Sequence, residues 1–184
     1  LCSSDLTLLP SFSPNLPAVF NNFLMADNEP KESTSSYQKI MHRVKKHLNV
    51  TYKTDDATLK VSASSFADYE KRKDYFVRMM KNKPYFMENL LLSIFTYRNF
   101  PFSGDSIGGI WENYIYLCWI YSSLKFVLTV CSEDIHSHSE LIALCVPLLR
   151  RWAHSSEITK TFINEFQKNS SNTLAHMAVL LKSC

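Results

Sequence analysis

The sequence predicts an all-α domain, a multi-helix bundle of about seven or eight helices with one small β-hairpin near residues 50–61. Three observations carry this expectation. Apolar residues recur three and four apart in segment after segment, the spacing of one helix face. Only three glycines stand against nine tyrosines and twelve phenylalanines, so few positions suit the positive φ of tight hairpins. Apolar residues make up 46% and charged residues 20%, the balance of a chain that buries a core and not of a disordered or fibrous one. One helical domain over residues 1–184 is expected at this length, with an irregular lead-in over 1–15.

The elements follow in order. Pro10, Pro14 and Pro17 punctuate the lead-in, and Leu16, Phe20, Phe23 and Leu24 then keep helical spacing. DNEPKESTSS reads as a loop. In YQKIMHRVKKHL, Tyr37, Ile40, Met41, Val44 and Leu48 form one stripe, leaving Lys39, Arg43, Lys45 and Lys46 on a basic back. Val50, Tyr52 and Thr54, then Leu59 and Val61, alternate as strands do, with Asp55 and Asp56 suited to the turn between them. Ser65 and Asp68 have capping-box spacing ahead of a helix through Phe66, Tyr69, Phe76, Met79 and Met80, which Pro84 stops or restarts. PYFMENLLLSIFTYRNF follows as a mostly buried helix ended by Pro101.

Ile110 to Val130 is expected to form a long apolar helix, and SEDIHSHSE a loop. Ser137 and Glu140 have the spacing of a capping box that opens SELIALCVPLLRRWAH, inside which Pro147 predicts a kink or break near Ala143. Two further helical patterns run through Ile158, Phe162 and Phe166, and through Leu174, Met177, Ala178 and Leu181.

The stretch FPFSGDSIGGIWENYIYLCWIY holds Gly104, Gly108 and Gly109 ahead of the most aromatic run in the chain. GDSIGGIW lacks the lysine that a Walker-type phosphate loop requires. No buried strand precedes it, as a dinucleotide fingerprint requires. Glu112, Asn113, Ser122, Ser123 and Lys125 interrupt the apolar run that a membrane span needs. The expectation is the central helix of a bundle, entered through a glycine turn, with no membrane partner.

The formal charge of +3 is too small to suggest nucleic acid, and Glu70 and Asp74 dilute the basic run at 70–78. The five cysteines, Cys2, Cys118, Cys131, Cys145 and Cys184, are widely spaced and include no C-x-x-C pair, so neither a disulfide framework nor a metal site is expected. The chain opens on Leu1 with no basic n-region, and reads as a fragment of a longer protein without a signal peptide.

PYFMENLLLSIFTYRNFPF, ENYIYLCWIYSSLKFVL and SNTLAHMAVLLKS occur in an order and spacing that resembles the C-terminal portion of the bacterial flagellin lysine-N-methylase family, over roughly residues 69 to 184. The resemblance implies part of an enzyme that transfers methyl groups from S-adenosylmethionine to lysines of flagellin in the bacterial cytoplasm. It also implies an N-terminal iron-sulfur cluster, which the cysteine spacing here places in the missing N-terminal part. On this reading the C-terminal domain serves substrate recognition or scaffolding. A non-enzymatic helical protein-interaction module is the alternative, and nucleic acid ranks last.

Methylation requires a neutral amine, whereas a free lysine titrates near 10.4, so such an enzyme must shed a proton and desolvate the nitrogen. Tyr97, Trp111, Tyr114, Tyr116 and Tyr121 could wall a channel for that purpose, although aromatics at helical spacing are more often core. His136 and His138, near Glu133 and Asp134, more simply belong to a solvated loop than to a metal site. Lys45, Lys46, Arg150, Arg151 and Trp152 are the candidate partner-binding residues, with Trp152 as an aromatic anchor. No catalytic nucleophile, base or cofactor-binding residue is assigned.

Overall fold

A computed structural model describes residues 35–49, 51–52, 59–60, 63–97, 100, 109–155, 160, 163–164, 167 and 173–183. The architecture is all-helical. Among the described residues it comprises α1 (Ser36–His47), α2 (Ala63–Lys81), α3 (Phe86–Tyr97), α4 (Ile110–Val130), α5 (His138–His154) and α6 (Leu174–Ser183), with a single 3-10 turn at Ser132–Asp134. Six of the expected seven or eight helices thus lie among the described residues. The helix expected over residues 16–24, and most of the pattern around Phe162 and Phe166, lie outside the described residues.

The expected hairpin reduces to two residues per strand, β1 (Thr51–Tyr52) and β2 (Leu59–Lys60), antiparallel with Thr51 opposite Lys60 and Tyr52 opposite Leu59. So short a ladder makes no sheet that could bury a face. The turn expected at Asp55 and Asp56 lies outside the described residues.

Helix α4 is the axis of the fold, and each of the other five helices packs against it. Its mixed polarity is resolved locally. Ser122 Oγ donates to Cys118 O at 2.7 Å and Thr129 Oγ1 to Lys125 O at 2.8 Å, so these buried hydroxyls use the helix's own carbonyls. Asn113 Nδ2 donates to Gly109 O at 3.1 Å. Gly109 takes the N-cap position, where Glu112 Oε2 accepts its backbone N–H at 2.9 Å. Having no side chain, Gly109 supplies only half of a capping box. The helix is apolar nearly all round because neighbours cover it on several sides, and no helix among the described residues is long and apolar enough to cross a membrane.

Aromatic pairs join the neighbours to this axis. Tyr69 of α2 stacks on Phe126 at 5.5 Å between centroids, and Trp119 meets Trp152 of α5 at 5.6 Å. Lys125 Nζ reaches Leu181 O of α6 at 3.5 Å.

The caps show why the helices begin and end where they do. Ser35 Oγ accepts from Gln38 N at the start of α1, and Asn49 takes φ 47 beyond its end, a left-handed conformation that Asn tolerates. At α5, Ser137 Oγ accepts from Glu140 N at 3.2 Å while Glu140 Oε2 accepts from Ser137 N at 3.1 Å, the predicted box. Helix α2 starts at Ala63, so Ser65 lies inside its first turn instead of capping it. Pro84 sits in the turn between α2 and α3. Helix α5 runs unbroken through Pro147, so no break occurs near Ala143.

Candidate functional site

Among the described residues, ion pairs gather where α4 ends. Its C-terminal carbonyls lack intrahelical donors and carry partial negative charge, so cations are favoured there. Arg72 of α2 meets this need. Its Nη1 donates to Val130 O at 2.8 Å and lies 2.9 Å from Glu133 Oε2, and Ser132 Oγ donates to Arg72 O at 3.3 Å. The Arg72 side chain is only 14% exposed, so these are sheltered contacts. On the other side of the 3-10 turn, His47 Nε2 lies 2.7 Å from Asp134 Oδ2, with Arg43 Nε 3.8 Å from the same oxygen. These six side chains tie α1, α2 and the end of α4 into one unit.

The predicted partner-binding residues divide between two places. Lys46, Arg150 and Arg151 are exposed, and Lys45 is partly buried. Arg151 lies 6.0 Å from the centre of the Tyr37 ring, whereas His47 reaches Asp134, so α1 and α5 run antiparallel. The ten steps from Tyr37 to His47 span about 15 Å of helix. Lys45 and Lys46 therefore stand at one end of α1, and Arg150 and Arg151 at the other.

Trp152 requires a correction. It is 0% exposed, because Leu141, Leu144, Cys145, Leu148 and Trp152 form the buried stripe of α5. Its carbonyl accepts from Tyr116 Oη at 3.0 Å. Trp152 anchors the core and offers no ring to a partner.

A family model described as the FliB lysine N-methylase C-terminal domain matches residues 12–180. The chain belongs to this family. No curated protein and no solved structure matches it.

The FliB family name makes the cysteines and aromatics worth testing against the chemistry expected of a lysine N-methylase. Cys118, Cys131 and Cys145 are free and buried. Burial pushes their thiols up to about 11, 12 and 12 respectively, so they hold their protons at neutral pH. An iron-sulfur cluster needs several converging thiolates, yet Cys118 and Cys131 stand thirteen residues apart on one helix, about 20 Å along its axis. The described cysteines do not fit such a cluster. Nor do three or more His, Cys, Asp and Glu side chains gather as a metal site among the described residues. In the HSH loop, His136 N donates to Glu140 Oε2 at 2.7 Å, while His138 meets the Phe86 ring edge-on at 5.9 Å, so both serve the entry to α5.

The five candidate channel aromatics scatter. Trp111 and Tyr114 stack at 5.5 Å at the start of α4, Tyr116 turns inward to Trp119 and Trp152, Tyr97 is exposed and Tyr121 is half-buried. Burial pushes the Tyr114 hydroxyl up to about 12, with Cys118 beside it contributing. The structure does not assemble these rings into one channel.

Sequence reasoning passed over His47 and Arg72 as a pairing site and read Asp134 only as part of the solvated loop around His136 and His138. A signal existed for the first two. His47 keeps helical spacing with Ile40 and Val44, and Arg72 lies between Tyr69 and Phe76, so each charge-bearing residue sits on a buried stripe. Asp134 gave no comparable sign, because a 3-10 turn has no long periodicity.

Proposed function

We propose that this FliB-family chain is the C-terminal helical domain of a protein-lysine N-methyltransferase that acts on flagellin with S-adenosylmethionine in the bacterial cytoplasm, and that it recognises or presents the protein substrate. The family match over residues 12–180 carries this reading. The fold supports a presenting role. Its axis is a continuous 21-residue helix covered on several sides, a rigid base on which a substrate-binding face can be held in register. In the transfer, the lysine nitrogen forms a bond to the methyl carbon as the carbon–sulfur bond breaks, and the nitrogen gives up a proton to a base. No described residue is assigned to that base or to the cofactor. On this reading any iron-sulfur cluster of the enzyme belongs to a part other than the described residues.

Methyl transfer to purified flagellin, followed with labelled S-adenosylmethionine for the full-length enzyme and for this chain alone, tests the division of labour. Transfer is expected only from the full-length enzyme, with flagellin binding retained by the chain. Transfer by the chain at the full-length rate would overturn the proposal. Calorimetry of S-adenosylmethionine against the chain locates the cofactor requirement.

The exposed basic residues favour one second reading, a non-enzymatic helical interaction module. Charge reversal at Arg150 and Arg151 separates the two. Loss of partner binding with no dependence on S-adenosylmethionine supports the module.

A further inference from the structure

We infer that the outward face of α1, marked by Lys39, His42 and Lys46, is an interaction surface for an acidic polypeptide segment. Lys39, His42 and Lys46 recur at i, i+3 and i+7, and all three are exposed while Ile40, Met41 and Val44 face the core. Arg43, on the same helix, is drawn aside toward Asp134. Lys39 and Lys46 make no ion pair with a described carboxylate. The row therefore runs from Lys46 through His42 to Lys39, along the side of α1 turned away from the core.

The charge is one-sided. Helix α1 contains no Asp or Glu, and α5 contains none after Glu140. The described carboxylate at the edge of this surface, Asp134, is already engaged by His47 and Arg43. A solvated basic face with no internal carboxylate attracts an acidic partner at long range and suppresses basic ones.

Spacing points to a polypeptide. Lys39 and Lys46 stand about 10 Å apart along the helix axis. Carboxylates at i and i+7 of a partner helix repeat at that same interval. Duplex DNA carries a charge roughly every 1.7 Å of its axis, and a row this sparse would neutralise little of it. The formal charge of +3 for the whole chain points the same way.

This inference does not depend on methyl transfer, and its test contains no cofactor. A fluorescein-labelled, alanine-rich helical peptide with glutamate at every seventh position is titrated with the chain and followed by anisotropy. The same peptide with glutamine in place of glutamate serves as the neutral control. The expected result is saturable binding of the glutamate peptide only, weakened about tenfold or more by Lys39→Glu with Lys46→Glu. Lys81→Glu, at the exposed end of α2, is expected to bind as the parent chain does. Far-UV circular dichroism checks that each variant is folded, and the milder Lys46→Gln decides the matter should the double reversal unfold. Unchanged affinity in the folded row variants, equal loss in Lys81→Glu, or tighter binding of a single-stranded oligonucleotide of matched charge would each overturn the inference.

Discussion

His47 Nε2 lies 2.7 Å from Asp134 Oδ2, joining residues 87 apart in the chain. The imidazole is 18% exposed and the carboxylate 38%, so solvent screens the contact only in part. It fastens the end of α1 to the turn that follows α4. Removing either partner is expected to cost about 1 kcal/mol, with a coupling of similar size in the double-mutant cycle of His47→Ala and Asp134→Ala measured by urea denaturation. Arg43→Ala is expected to cost less than about 0.5 kcal/mol, because its contact with Asp134 is longer and more exposed. A cycle with no coupling would remove the pair from the account of α1 docking.

Arg72→Ala is expected to be the costlier change. The substitution deprives Val130 O of its side-chain donor, leaves Glu133 without its cation, and opens space beside the end of α4. A loss of about 2 to 3 kcal/mol in denaturant unfolding is the expected outcome, as for sheltered hydrogen bonds to charged groups. Arg72→Lys restores charge but not the planar guanidinium whose Nη1 meets both Val130 O and Glu133 Oε2, so it should recover only part of the loss. Full recovery by lysine would show that charge alone holds this corner.

How far these features were legible depends on periodicity. The α1 stripe of Ile40, Met41, Val44 and Leu48 and the α5 box of Ser137 and Glu140 could be read directly, because each rests on contacts within one or two helical turns. Trp152 was misread because the same spacing fits a core stripe and an exposed anchor, and only the position of α4 decides between them. The corner of His47, Arg72 and Asp134 is assembled from three segments far apart in sequence. Charge on an apolar stripe hints at such a corner, but its partner is chosen by tertiary packing.

The start of α5 offers a test in acid. Glu140 is held below the usual carboxylate range first by the backbone N–H of His136, and further by Ser137. A depressed carboxylate contributes stability above its unfolded pKa and loses it as pH falls through the folded value. The difference in melting temperature between the parent chain and Glu140→Gln is therefore expected at neutral pH and should vanish in acid. Ser137→Ala removes the other half of the box and should cost about 1 kcal/mol at neutral pH. A Glu140→Gln difference that persists below the carboxylate range would rule out the charge as its source.

The buried thiols offer the opposite test, in alkali. Burial raises Cys131 and Cys145 from 9.0 to about 12 each. A group whose folded pKa is raised contributes stability that is complete below its unfolded pKa and is lost as pH rises through the folded one. Unfolding should become easier between about pH 9 and about pH 12, since only the unfolded chain releases these protons readily. Tyrosines and lysines titrate over the same range, so the informative quantity is a difference. Cys131→Ala with Cys145→Ala should lower stability at neutral pH through lost packing, yet decline less steeply with alkali than the parent chain. At pH 8, a thiol reagent should label Cys118, Cys131 and Cys145 only at the rate of unfolding. Fast labelling of the folded chain would mean that these sulfurs are open to solvent, and would reopen them as ligands for a soft metal.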